Sequence, residues 1–315
     1  MSAILTISLR IPVLFLFLLT AIAGASASIP AAGPREELIV TTTWLRDHLK
    51  DPNLVLLHVG DPAEYKAKHL PGAQFVELMD ISAPMDHSPN ADPKVLSLEL
   101  PDPAALRDRL VKLGISNTST IVVYYGSTWY SPTTRVIFTL NFAGLGAQTK
   151  LLDGGMRAWV AAELPTTTDV PTVKPGTLAP LKTVDSVVDA AFIQSKKGVA
   201  GTTVIDARDK VFYDGVQSGG DRNGPPLLGH IPGAASIPFG DVFDDKGFVE
   251  PAATLAELFK QAGMKPGDEV IAYCHVGQQA TAVVFAARTL GYKVRLYDGS
   301  MNDWSLRGLP VQKER

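Results

Sequence analysis

The sequence predicts an α/β protein of two tandem domains, each a mostly parallel sheet flanked by helices. Three observations predict it. The chain has 315 residues, room for two domains at roughly 100–200 residues each. Its two halves repeat one another. Within each half, short apolar runs alternate with stretches of helical spacing, the pattern of strand–helix–strand units.

The repeat is direct. His69-Leu-Pro-Gly-Ala73 returns as His230-Ile-Pro-Gly-Ala234, and Leu151-Leu-Asp-Gly-Gly-Met-Arg-Ala-Trp159 returns as Leu296-Tyr-Asp-Gly-Ser-Met-Asn-Asp-Trp304. Each Trp precedes a Leu-Pro pair, Leu164-Pro165 and Leu309-Pro310. A long unit present twice is a duplicated domain, whereas a solenoid needs three or more short ones. The reading places one domain over 35–165, a Pro- and Thr-rich linker over 166–182 and the second domain over 183–313.

The elements follow in order within each copy. Leu54–Val59 and Thr203–Ala207 are too short for helices and are bounded by turn residues, so they read as buried strands. Asp102–Leu113 and Thr254–Ala262 have helical spacing and stop at Gly114 and Gly263, as C′ glycines do. Strands Thr120–Tyr125 and Glu269–Tyr273 come next, then helices over Thr133–Phe142 and Gln279–Leu290. Strands Lys150–Leu152 and Lys293–Tyr297 follow.

Residues 1–27 read as a secretory signal peptide, outside the fold. Arg10 precedes an apolar run from Ile11 to Ile22, and Ala25-Ser26-Ala27 fits an A-x-A cleavage site. The run is short of the ~20 apolar residues of a transmembrane helix. The expectation is an exported protein, periplasmic or secreted, with no stable membrane association after cleavage. Charged residues are 19% and the net charge is -3, which gives no basic face for nucleic acid.

The chain has 1 cysteine, so no internal disulfide can staple it. A free cysteine is often a small core hydrophobe, but an unpaired thiol in an exported chain also flags reactivity. Its position favours the second reading. Ligands of open parallel sheets sit beyond the carboxyl ends of the strands. Cys274 opens the junction Cys274-His-Val-Gly-Gln-Gln279 between strand Glu269–Tyr273 and the helix after it. The matching junction of the first copy, taken as Gly126–Thr134, has no cysteine and is three residues longer. Free N–H groups and the dipole at a helix start favour an anion, so the thiol is expected to have a depressed pKa. Gly277 lets the loop bend, Gln278 and Gln279 add amide donors, and His275 adds a positive charge below about pH 6.5.

These residues resemble the tandem rhodaneses, the thiosulfate and 3-mercaptopyruvate sulfurtransferases, over about Leu38 to Val311. The resemblance implies two rhodanese-like domains, the first catalytically inactive and the second catalytic. It makes Cys274 the nucleophile and persulfide carrier, and His275, Val276, Gly277, Gln278 and Gln279 the cradle for an anionic substrate. Asp206 and Arg208 match the family's Asp-x-Arg, Arg208 binding substrate and Asp206 supporting the loop. The first copy has His58 and Gly60 there, as befits an inactive domain. The implied partners are a small anionic sulfur donor, thiosulfate ahead of 3-mercaptopyruvate, and a thiol or cyanide acceptor. No cofactor and no metal are implied, and a monomer is the expected state.

Two features depart from the family. The loop is neither the basic one of many thiosulfate enzymes nor the Cys-Gly-Ser-Gly of the mercaptopyruvate enzymes. Four residues past Arg208, where some members have a substrate arginine, stands Phe212. Arg222, in an extra stretch over Asp214–Pro226, is a candidate substitute, and the stretch itself a candidate flap. His69 and His230 read as structural caps, and Trp159 and Trp304 as core anchors. A phosphatase or arsenate reductase would want a longer loop ending in arginine, and here the sixth residue after Cys274 is Ala280. A non-catalytic sulfur-binding module is the other alternative.

Overall fold

A computed structural model describes residues 34–85, 92, 95–127, 130–219 and 226–314. The signal peptide read over 1–27 and Arg222 lie outside the described residues. Among the described residues no helix is long and apolar enough to cross a membrane.

Each half is a five-stranded sheet, parallel throughout. In the first the strands are β1 (Ile39–Val40), β2 (Leu54–Val59), β3 (Ala73–Phe75), β4 (Thr120–Tyr125) and β5 (Thr149–Leu152), in the order β1-β5-β4-β2-β3. In the second, β6 (Val187–Val188), β7 (Thr202–Asp206), β8 (Ala235–Ser236), β9 (Glu269–Tyr273) and β10 (Lys293–Tyr297) repeat that order as β6-β10-β9-β7-β8. The central strands β4 and β9 are buried on both faces, which is why they read as unbroken apolar runs.

The first half carries helices α1 (Pro34–Leu38), α2 (Thr42–His48), α3 (Pro62–Ala67), α4 (Pro103–Lys112), α5 (Tyr130–Leu140) and α6 (Gly155–Ala161). The second carries α7 (Ala190–Lys196), α8 (Lys210–Tyr213), α9 (Ala252–Gln261), α10 (Ala280–Thr289) and α11 (Ser300–Leu306). Asp102 caps α4 by accepting from the N–H groups of Ala104 and Ala105, an N-cap arrangement worth ~1 kcal/mol. Helix α5 begins three residues earlier than the spacing predicts and runs into a π-turn over Asn141–Leu145, with Gly144 at φ 83°. Strand β7 ends one residue short of the expected run, at Asp206, and its last ladder bond is the one from the Ala207 N–H to the Tyr273 carbonyl.

One apolar core runs through both halves. It joins Val123, Val136 and Leu140 to Ala272, Cys274, Val283 and Phe285, and α5 and α10 pack together at its centre. A separate cluster under Trp159 covers the outer face of the first sheet, and another under Trp304 covers that of the second. Both indoles donate to prolyl carbonyls, Trp159 to Pro165 at 2.8 Å and Trp304 to Pro310 at 2.9 Å. His69 stacks on Tyr65 and His230 on Tyr213, each with Nδ1 at the carbonyl of the tyrosine it covers. These are the structural roles expected of them.

The segment 162–186 has no helix or strand. It is tied along the first half by the His69–Thr167 bridge, by Asn117 donating to the Thr177 carbonyl, and by Arg107 donating to the Leu178 carbonyl. The two Asp-Gly turns each reach into the opposite half. Asp153 accepts from the Val249 N–H at 2.9 Å, and Asp298 accepts from the Leu100 N–H at 3.1 Å.

Candidate functional site

Cys274 lies where the topology points, just past the carboxyl end of central strand β9 and before α10. It is a free thiol and 1% exposed. Its N–H donates to Ser300 Oγ at 3.1 Å, and that hydroxyl donates to the Tyr297 carbonyl. The first N–H groups of α11 take the next two carbonyls, Met301 donating to Cys274 O and Asn302 to His275 O. With its carbonyls bound there, the loop turns its own N–H groups inward. Those of Val276, Gly277, Gln279 and Ala280 meet the sulfur and favour its anion. Ser300 holds the turn at φ 51°, where Gly155 of the first half has φ 52°. A non-glycine residue there stores strain of about 1–3 kcal/mol, and such strain clusters at functional sites.

Burial and the amides act against each other. Burial is the larger effect and pushes the Cys274 thiol above its ordinary value, against the four N–H groups that lower it. The expected depression of its pKa is therefore corrected. A helix start stabilises a thiolate only as far as it offsets the lost hydration, and at 1% exposure it does not. The positive charge expected of His275 is corrected too. Burial, and then the Arg208 charge, lower the imidazole to about 4, so it is neutral at physiological pH. The rate of sulfur loading in a single turnover is accordingly expected to rise through the alkaline range. Its inflection should lie above that of free cysteine in the same buffer, with none from His275 between about pH 5 and 7. An inflection on the acid side of free cysteine would contradict this account.

The other site residues surround the loop. Asp206, at the end of β7, is fully buried. Arg208 binds it with two nitrogens, Nε to Oδ1 at 3.0 Å and Nη2 to Oδ2 at 2.6 Å, and also donates to the Gly229 carbonyl. The Tyr273 hydroxyl donates to Asp206 Oδ2 while accepting from the Ile231 N–H. Arg208 is thus a fixed charge on the His275 side of the loop, 1% exposed, held by Asp206 instead of swinging freely. Phe212 packs edge-on against His275 at 4.8 Å between ring centroids.

The first half supplies part of the site, which sequence reasoning missed. Arg135, on α5, is 1% exposed and grips Asp298 with both terminal nitrogens. It also donates to the Gly277 carbonyl at 3.3 Å, inside the loop, and to the Leu98 carbonyl. Gly277 sits at φ 77°, and a Cβ there would run into Asp298, so this bend admits only glycine. Gln278 donates to Ser131 Oγ at 3.1 Å, and Thr281 and Thr134 share a hydrogen bond at 2.9 Å. The loop is therefore held from behind by its own domain and from the side by the other. The signal available in the sequence was an arginine in a helix otherwise too apolar for the surface.

The pairing register corrects the match between the copies. His58 lies opposite Tyr124, as Asp206 lies opposite Tyr273. Leu70 N–H donates to the Tyr124 hydroxyl as Ile231 N–H does to that of Tyr273. Tyr125, not Gly126, therefore holds the place of Cys274, because β4 runs one residue further than β9. Its ring is buried and its hydroxyl donates to the Gly247 carbonyl of the second half. Gly126 corresponds to His275.

Two stretches, residues 41–162 and 190–307, match the rhodanese-like domain. A probable 3-mercaptopyruvate sulfurtransferase of Pseudomonas aeruginosa is 31% identical over 277 residues, 84% of this chain and 94% of that protein. A thiosulfate sulfurtransferase of Corynebacterium glutamicum is 30% identical over 289 residues, 88% of this chain and 90% of that one. Among solved structures, the anaerobic ergothioneine biosynthesis enzyme from Chlorobium limicola superposes with a TM-score of 0.76 at 20% identity. The match covers 89% of this chain and 71% of that one, a likeness of fold.

Proposed function

The chain belongs to the rhodanese family of tandem sulfurtransferases, and from that premise we propose that it moves sulfane sulfur from thiosulfate to cyanide or a thiol through a persulfide on Cys274. The observation that carries this reading is the convergence of four loop N–H groups on the one thiol of the chain. The relatives named above are a thiosulfate sulfurtransferase in one case and a probable 3-mercaptopyruvate sulfurtransferase in the other, so the family supports sulfur transfer and the site must choose the donor.

In the first step Cys274 loses its proton to solvent and the thiolate attacks the outer sulfur of thiosulfate. The S–S bond of the donor breaks, its electron pair leaves with sulfite, and the outer sulfur stays on Cys274 as a persulfide. In the second step cyanide attacks that sulfur. The persulfide bond breaks, thiocyanate leaves and the thiolate returns. This is covalent catalysis with ping-pong kinetics. The N–H groups of Val276, Gly277, Gln279 and Ala280 stabilise negative charge on the sulfur in both steps, as an oxyanion hole does. Gln278 and Gln279 add neutral donors at the rim, His275 walls the entrance on the Phe212 side, and Arg208 supplies a positive field beside His275. A compact dianion suits a site built from backbone donors and one fixed cation. The first domain, with Tyr125 at the thiol's place, acts as wall and support.

The second reading, 3-mercaptopyruvate as donor, is favoured by one observation: the loop has no lysine or arginine. Thiocyanate formation from cyanide with each donor tests the choice. We expect kcat/KM for thiosulfate to exceed that for 3-mercaptopyruvate. The opposite order would move the assignment to the mercaptopyruvate branch, and no turnover with either would leave a sulfur-binding module.

A further inference from the structure

The first domain has a cavity of about 530 Å³ beside its own counterpart of the sulfur loop, lined by His58, Glu64, Lys68, Gly126, Met156 and Val160 among others. Its origin can be read by comparing the halves. In the second domain this place is filled: Arg208 covers Asp206, and the His275 ring packs against Phe212. In the first domain the corresponding residues are Gly60 for Arg208, Gly126 for His275 and Glu64 for Phe212. Two side chains are gone and a carboxylate has replaced a phenyl ring.

The loss leaves a buried donor without a partner. The Tyr124 hydroxyl accepts from the Leu70 N–H at 3.1 Å, so its own proton goes to His58 Nδ1, also at 3.1 Å. Tyr273 directs its proton to Asp206 in the same way. His58 must then carry its hydrogen on Nε2. That atom is buried without a hydrogen-bond partner, and His58 is 0% exposed. A Cβ added at Gly126 would lie 3.2 Å from it and one at Gly60 3.5 Å from it, so Nε2 faces the space between the two glycines. An orphaned buried donor costs about 1–3 kcal/mol, and a native structure normally has a reason for one. The Glu64 carboxylate reaches over Gly126 into the same space. Among the described residues it has no hydrogen bond or ion pair. Ala67, Met156 and Val160 form an apolar wall, and Lys68 and Arg157 stand at the exposed rim.

We propose that this cavity is a second ligand site, which takes a small α-amino acid with an apolar side chain. The ammonium would pair with Glu64, the carboxylate would accept from His58 Nε2–H and lie toward the rim cations, and the side chain would pack on Met156 and Val160. The volume is within the usual range for small-molecule pockets. No bond is made or broken there. The site is independent of the chemistry at Cys274, so its failure leaves the sulfurtransferase assignment intact.

Calorimetric titration of the full chain with L-methionine tests it, with L-leucine as a second probe. We expect saturable one-to-one binding near 1 mM, the scale set by so few ligand atoms. Glu64→Gln should weaken binding about tenfold, the cost of one charge-assisted hydrogen bond. Gly126→His, which restores the side chain present in the second domain, should abolish binding while sulfur transfer and near-UV circular dichroism are retained. No saturable binding of either amino acid would overturn the proposal. So would unchanged affinity in both variants, or equal affinity for N-acetyl-L-methionine, which has no ammonium group.

Discussion

Cys274→Ser is expected to reduce sulfur transfer to background, a loss of at least about 10⁴-fold, the scale seen when a covalent nucleophile is removed. The chain has 1 cysteine, and the equivalent place in the first domain is held by Tyr125, so no other thiol can take over. The substitution is also clean. Serine is close to cysteine in size, and its hydroxyl can accept from the loop N–H groups that now meet the sulfur, so the fold should persist with an unchanged near-UV spectrum. Mass spectrometry after exposure to thiosulfate should find the native chain one sulfur atom heavier and the variant unchanged. Turnover above background in Cys274→Ser would end the assignment, and a persulfide elsewhere is impossible without a second thiol.

The fold was legible because its signals are local and doubled. An unbroken apolar run such as Thr120–Tyr125 needs no distant partner to be read as a buried strand, and a motif seen twice shows that the domain is duplicated. The position of Cys274 was legible for the same reason: a strand, a short loop with a glycine and a helix follow one another in sequence. Three things were not. The equivalence of Tyr125 and Cys274 depends on which residues pair across strands, and an aromatic end to β4 hides the extra residue. The pKa of Cys274 depends on the balance between burial and loop amides. Sequence shows the helix start that supplies the amides but not the depth of the thiol. The Arg135–Asp298 pair joins residues 163 positions apart, and nothing local to either announces the other. His58 lies between these cases. Its equivalence to Asp206 was visible from the repeat, but the cavity beside it appears only when the side chains of Gly60 and Gly126 are seen to be missing together.

That distant pair carries the second large expectation. Arg135 and Asp298 have side-chain exposures of 1% and 3%, so removing either strands a buried charge. Arg135→Ala should destabilise the protein by about 3–5 kcal/mol, read as a fall in Tm of roughly 10 °C. Stability alone does not show a part in catalysis, because any buried ion pair would behave this way. The discriminating variant is the double replacement Arg135→Met with Asp298→Leu. Apolar replacement of a whole buried pair is often neutral or stabilising, so Tm should recover much of its loss. The Gly277 carbonyl and its loop would still lack the guanidinium that holds them, and the N–H groups aimed at Cys274 would drift. Displacements of about 1 Å at a reacting centre cost on the order of 10²-fold, so the single-turnover loading rate should stay well below that of the native chain after Tm has returned. Arg135→Lys separates the two roles from the other side. It retains the charge opposite Asp298, but a single ammonium cannot span Asp298, Leu98 and Gly277 as the planar fork does. Its stability should therefore fall less than that of Arg135→Ala, with loading still slowed. If the double variant loads sulfur at the native rate, Arg135 is only a strut between domains, and the loop positions Cys274 without help from the first half.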